Sequence, residues 1–195
     1  MRLLIATTNA GKLREIRPML AGIPVELVTL EAWAGLAPPE ETGRTFEENA
    51  RQKARYYSTA TGLVTVAEDS GLEIDALGGA PGVESARFGG ADLSYPEKFR
   101  LIYDALRAKG TADSPARFVC ALAVADRERL LFEARGTVEG HIAPAPKGDA
   151  GFGYDPIFFH PPFGLTLAEA GERKEEVSHR AEAFGKLRAY LEGRS

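Results

Sequence analysis

Short apolar runs alternate along this chain with stretches in which apolar side chains return every third or fourth position, the signatures of buried strands and amphipathic helices. Leu3-Leu4-Ile5-Ala6 reads as a buried strand, and after a polar turn Leu13, Ile16 and Leu20 recur at helical spacing. Pro18 removes a backbone donor there, which predicts a kink or an early end. Thr45-Phe46-Glu47-Glu48 fits a capping box opening a second helix that runs to about Thr61, with Phe46, Ala50, Ala54 and Tyr57 on its apolar face. Val64 to Ala67 and Leu72 to Asp75 read as strand segments flanking a turn at Glu68-Asp69-Ser70-Gly71. Gly78 to Gly82 is irregular, and Ser94-Tyr95-Pro96-Glu97 starts a third helix carrying Phe99, Ile102, Tyr103 and Leu106. Arg117 to Ala125 and Leu130 to Gly136 form a predicted antiparallel hairpin that Thr137 to Ile142 can extend. Pro144 to Pro161 reads as loop, Thr166 to Glu169 as another capping box, and Ser178 as the cap of a last helix faced by Phe184, Leu187 and Leu191.

These elements predict an α/β protein with a mixed sheet and flanking helices. No repeat or long linker divides the 195 residues, so one domain over 1–195 is expected. At 44% hydrophobic and 27% charged, the composition is that of a globular chain. No apolar run nears the length of a membrane span and no signal-peptide core is present, so a cytoplasmic protein without a membrane partner is expected. The balance of 24 basic against 28 acidic residues, net −4, argues against a nucleic-acid partner. The single Cys120 excludes an internal disulfide and paired-cysteine zinc sites, and its apolar neighbours predict a buried thiol rather than a nucleophile. His141, His160 and His179 are too scattered for a metal signature.

Three segments can carry chemistry. Thr7-Thr8-Asn9-Ala10-Gly11-Lys12 fails as a Walker loop, with Ala6 in place of its first glycine and Leu13 in place of its hydroxyl residue. Free amides at a helix start together with Lys12 still make an anion site, although an ordinary turn with a solvated lysine reads equally well. Glu68-Asp69, with Glu40-Glu41 as a second acidic pair, offers carboxylates of the kind that hold Mg²⁺ alongside substrate phosphates; each pair alone also reads as a solvated turn. Gly148 to Pro156 alternates small residues with Phe152 and Tyr154, a loop able to stack a nucleobase or, equally, to pin itself to the core.

In order along the chain these segments resemble the inosine triphosphate pyrophosphatase family. The resemblance rests on Thr7 to Lys12, Glu40 to Gly43, Thr45 to Ala50, Glu68 to Leu72, Leu77 to Gly82, Ser85 to Arg87, Gly151 to Phe159 and Ser178 to Arg180. It implies two lobes around a central substrate cleft, a homodimer, and hydrolysis of dITP, ITP, XTP and dXTP to the monophosphate and pyrophosphate. It also implies Asp69 as the catalytic acid-base residue and Mg²⁺ held by Asp69 and Glu40, with Glu41 as the alternative. Substrate contacts would come from Thr7, Thr8, Asn9, Ala10, Gly11, Lys12, Lys53, Ser70, Phe152, Gly153, Tyr154, Asp155, Lys174, His179 and Arg180. Donors facing a 6-oxo group would meet the 6-amino group of adenine donor to donor, leaving buried polar atoms unpaired. The rivals are a pyrophosphatase of other base preference and a nucleotide sensor without turnover.

Overall fold

A computed structural model describes residues 2–193. Its strands are β1 (Arg2–Ile5), β2 (Glu26–Thr29), β3 (Val64–Ile74), β4 (Pro115–Asp126), β5 (Arg129–Ile142), β6 (Phe158–His160) and β7 (Leu165–Thr166). They form one sheet in the order β2-β1-β3-β4-β5-β6-β7. β1 runs parallel to both β2 and β3, whereas β6 is antiparallel to β5 and β7, so the sheet is mixed as the sequence predicts. Only Arg127 and Glu128 separate β4 from β5, a connection that permits nothing but an antiparallel return.

The helices are α1 (Ala10–Met19), α2 (Phe46–Thr61), α3 (Tyr95–Ala108), α4 (Leu167–Ala170) and α5 (His179–Glu192). α1 ends one residue past Pro18, in keeping with the early end expected there. Thr45 accepts from the Glu48 amide as a cap, but the Glu48 carboxylate takes the Arg44 amide, one residue short of the reciprocal contact the sequence suggests. Ser94 with Glu97 and Thr166 with Glu169 form complete capping boxes. Three readings are corrected. β2 goes unseen in the sequence because its four residues are partly exposed. The stretch read as loop after Pro144 contains β6, whose three residues are too few to show a period. Glu68 to Gly71 is no turn: β3 passes straight through it as an eleven-residue strand.

The chain divides into two compact units, the boundary falling within β3, β4 and β5. Unit 1 holds the residues up to 69, 120–136 and those from 179 onward. Its sheet packs Leu3, Ile5, Val66 and Leu122 against Ile16 and Leu20 of the α1 segment and Phe184, Leu187 and Leu191 of α5. A second cluster sets Leu4, Ala67 and Ala123 against Ala50, Ala54 and Tyr57 of α2. Unit 2 holds 70–119 and 137–178, where Leu72, Phe118, Ile142 and Phe158 pack on Phe99, Ile102 and Leu106 of α3. Among the described residues no helix is long and apolar enough to cross a membrane.

Candidate functional site

Because successive strand residues face opposite ways, Glu68 and Asp69 part company at once. On one side Glu68, 4% exposed, accepts from Arg180 Nε at 2.7 Å and from the Cys120 thiol at 3.1 Å, with Lys12 Nζ at 3.7 Å. Arg180, the second residue of α5 and 1% exposed, also pairs with Glu15 of α1. Burial alone would push the Glu68 carboxyl up, yet the charges of Arg180 and Lys12 hold it well below the usual carboxylate range. Burial and the Glu68 charge push the Cys120 thiol well up, in keeping with the inert cysteine expected.

On the other side Asp69, 6% exposed, faces α2. Its Oδ1 accepts from Lys53 Nζ at 2.8 Å and its Oδ2 from Asn49 Nδ2 at 3.1 Å. Lys53 Nζ also donates to Glu41 Oε1 at 2.7 Å. Burial would lower the Lys53 ammonium, but these carboxylates raise it, so the lysine stays charged between them. Glu40 is exposed, and Glu41 is the member of that pair joined to Asp69 through Lys53. Asn49 is fully buried; its Oδ1 accepts from the Gly43 amide at 2.8 Å, tying the acidic loop to α2. A Cβ on Gly43 would come within 2.5 Å of that oxygen, so only glycine fits the approach.

The loop before α1 is built as an open turn. Asn9 caps the helix by accepting from the Lys12 amide at 3.1 Å, and Thr7 accepts from the Asn9 amide at 3.1 Å. Thr8, Asn9 and Ala10 are exposed, while Thr7, Gly11 and Lys12 are half-buried. The positive end of the helix dipole at this start favours an anion.

In unit 2, Asp155 is 1% exposed and its Oδ2 accepts both the Phe152 amide at 2.9 Å and Lys174 Nζ at 2.8 Å. That ammonium lies 4.9 Å from the Phe152 ring centre, so one carboxylate arranges a ring and a cation together. Gly151, at φ 76°, passes so close to Asp155 that a Cβ would strike the carboxylate. Tyr154 does not share the half-exposed setting of Phe152 and Gly153. It is 3% exposed, edge-on to Tyr95 at 5.2 Å, and its hydroxyl donates to Ser85 O at 2.8 Å. Tyr154 therefore pins the loop to the core, while Phe152 stays half-buried. Ser85 also accepts from the Leu72 amide at 2.9 Å and donates to Gly82 O at 2.6 Å, gathering three segments on one hydroxyl residue. Ser70 is half-buried on β3 directly after Asp69.

The sequence-predicted residues therefore assemble in groups: Asp69 with Lys53 and Glu41, Lys12 with Arg180 through Glu68, and Phe152 with Asp155 and Lys174. Arg180 and His179 are buried in the first turn of α5, within unit 1, and the Arg180 guanidinium is engaged by two carboxylates rather than presented at a surface. Asn49, Glu15 and Ser85 take part in these contacts, and the sequence reading assigns none of them a role. Asn49 had a signal, since it stands four residues before Lys53 on the mostly apolar stripe of α2.

A seven-stranded mixed-sheet α/β protein of this architecture has known counterparts. The profile of the Ham1 family matches residues 3–190, and the chain belongs to that family. It is 46% identical over 193 residues to a dITP/XTP pyrophosphatase of Thermus thermophilus, covering 98% of this chain and 91% of that one. It is 44% identical to the protein of the same name from Dictyoglomus thermophilum, covering 97% and 94%. The solved structure of a HAM1 protein from Coxiella burnetii superposes with a TM-score of 0.91 at 37% identity, covering 98% of both chains.

Proposed function

We propose that this protein hydrolyses deaminated purine nucleoside triphosphates, dITP, ITP, XTP and dXTP, to the nucleoside monophosphate and pyrophosphate. The observation that carries the reading is the Asp69 carboxylate, almost buried on β3 and held by Lys53 and Asn49 with Glu41 on the same lysine. The names of the relatives from Thermus thermophilus and Dictyoglomus thermophilum support it.

The donor set suits Mg²⁺. Asp69 and Glu41 offer hard oxygens that already converge on one cationic point, the Lys53 ammonium. Among the described residues no three His, Cys, Asp or Glu side chains gather into a cage. Mg²⁺ is commonly held in this way, by one or two carboxylates with substrate phosphates and water completing the shell. Asp69 with Glu41, or Glu40 in the alternative register, would hold the ion, which when bound neutralises phosphate charge and acidifies nearby water.

The chain's own residues supply the rest. Lys12 and the amides of the loop before α1 bind phosphate oxygens, and Lys53 donates to them as charge builds. Asp69 accepts the proton of the attacking water as the bond between the α and β phosphates breaks and pyrophosphate leaves with its electron pair. Phe152 lies along the base, and Lys174, oriented by Asp155, donates to its 6-oxo group. The same reading makes the chain a single-domain homodimer of the cytoplasm; light scattering tests the assembly.

The test is product analysis with Mg²⁺ and, in parallel, dITP, XTP, dGTP, dATP and dTTP. Monophosphate plus pyrophosphate from dITP and XTP, with little from the others, is expected, and Asp69→Asn lowers turnover at least about a hundredfold. Release of orthophosphate, turnover confined to other bases, or no turnover overturns the proposal.

A further inference from the structure

We infer that Asn49 is the positioning residue of this site: its side-chain amide sets the Asp69 carboxylate and the acidic loop in one frame. The inference rests on the functional reading above and names a residue that reading does not use.

The geometry is determinate. Asn49 is fully buried in the first turns of α2, where the stripe it shares with Phe46, Ala50, Ala54 and Tyr57 is apolar but for Ser58 farther along. An amide in such a place must satisfy its polar atoms inside the protein, or burial costs a few kcal/mol. Its two ends meet different partners of opposite demand. The Gly43 amide can only donate, so it takes Oδ1, and this leaves Nδ2 to donate to Asp69 Oδ2. The orientation of the side chain therefore follows from Gly43, and Asp69 is met by a donor.

Two consequences bear on catalysis. Asn49 and Lys53, one helical turn apart, each take one oxygen of Asp69, which defines the plane of the carboxylate. A carboxylate offers about four acceptor positions, so two fixed donors orient it and leave roughly two positions for water or a cation. Gly43 lies two residues beyond Glu41, whose carboxylate shares Lys53 with Asp69. The amide thus fixes the spacing between the proton-accepting group and the second acidic side chain. Gly43 is part of the device, since a Cβ there would come within 2.5 Å of Asn49 Oδ1 and 2.9 Å of its backbone nitrogen.

Two variants separate positioning from mere support of the loop. Asn49→Leu removes both contacts. Asn49→Asp keeps an acceptor for Gly43 but turns an oxygen toward Asp69. With kcat, KM for dITP and half-saturating Mg²⁺ measured on folded protein, both variants are expected to lose about tenfold to a hundredfold in kcat, the range for removing a group that orients a metal-site ligand. KM for dITP should stay within about twofold, because the proposed phosphate and base contacts are untouched. If Asn49 served only the loop, Asn49→Asp would turn over like the parent, and that result overturns the inference. So does a loss confined to KM in both variants. A parent that releases no pyrophosphate overturns the functional reading together with the inference, and it is told apart from failure of Asn49 alone by the parent's own assay.

Discussion

Replacing Arg180 with leucine tests the buried ion network behind β3. Glu68 and Arg180 have side-chain exposures of 2% and 1%, and the guanidinium reaches both Glu68 oxygens, at 2.7 and 3.4 Å. Removing one partner of such a pair typically costs about 3–5 kcal/mol, because the other charge stays buried without compensation. Lys12, 3.7 Å from Glu68, remains and places the loss toward the lower end, at about 3 kcal/mol. For a chain of this length that corresponds to a Tm lower by about 6–12 °C. The pH dependence gives a second, independent sign. In the parent, the Glu68 carboxyl lies below its ordinary value of 4.5, so its stabilisation is complete above that value and fades as the pH falls below it. In Arg180→Leu, burial outweighs the remaining charge and raises the carboxyl, the folded state binds the proton more tightly, and stability falls as pH rises through the raised value. The deficit relative to the parent should therefore widen as the pH rises above the ordinary carboxyl value of 4.5. Chemical denaturation at several pH values measures it, and the double variant Glu68→Leu/Arg180→Leu should recover most of the loss. A deficit below about 1 kcal/mol, the scale of an exposed pair, or one constant across pH, would contradict this account of the pair.

Tyr154→Phe deletes the hydroxyl that satisfies buried Ser85 O and should lower stability by about 1–3 kcal/mol in urea unfolding. Gly151→Ala imposes a strained left-handed conformation costing about 1–2 kcal/mol and drives a methyl group into Asp155; its steady-state kinetics should show a raised KM for dITP. Lys12→Ala should raise KM for dITP at least about tenfold, as loss of a charge-assisted contact does, with a smaller effect on Tm. Cys120, fully buried with its thiol pushed up, should resist a thiol-alkylating reagent in the folded protein and react once the chain is unfolded.

The helices were legible wherever a cap and an apolar stripe coincided. Thr45 before Phe46, Ser94 before Tyr95 and Thr166 before Leu167 each open the helix that the side chains announce. β3 was misread for a definite reason. Glu68, Asp69, Ser70 and Gly71 have the composition of a turn, and a continuous buried strand through two acids is stable only where each acid finds a cation. Those cations, Arg180 for Glu68 and Lys53 for Asp69, come from α5 and α2. Tyr154 and Phe152 pose the same problem on a smaller scale. Two aromatics in one glycine-rich loop look alike in sequence, and only the position of Tyr95 and Ser85 makes one a core ring.

The helix starts, the mixed sheet, the inert cysteine and the order of family motifs were all written in the sequence, because each depends on neighbours within a turn or on alternation along a strand. Long-range packing chose which face of β3 each acid takes, buried Arg180, placed Glu41 on the same lysine as Asp69, and aimed the Asn49 amide at that carboxylate. Glu68 and Arg180 stand 112 positions apart, and Asn49 and Asp69 stand 20 apart. Partners at such separations are chosen by the packing of strand against helix, and no local spacing encodes them.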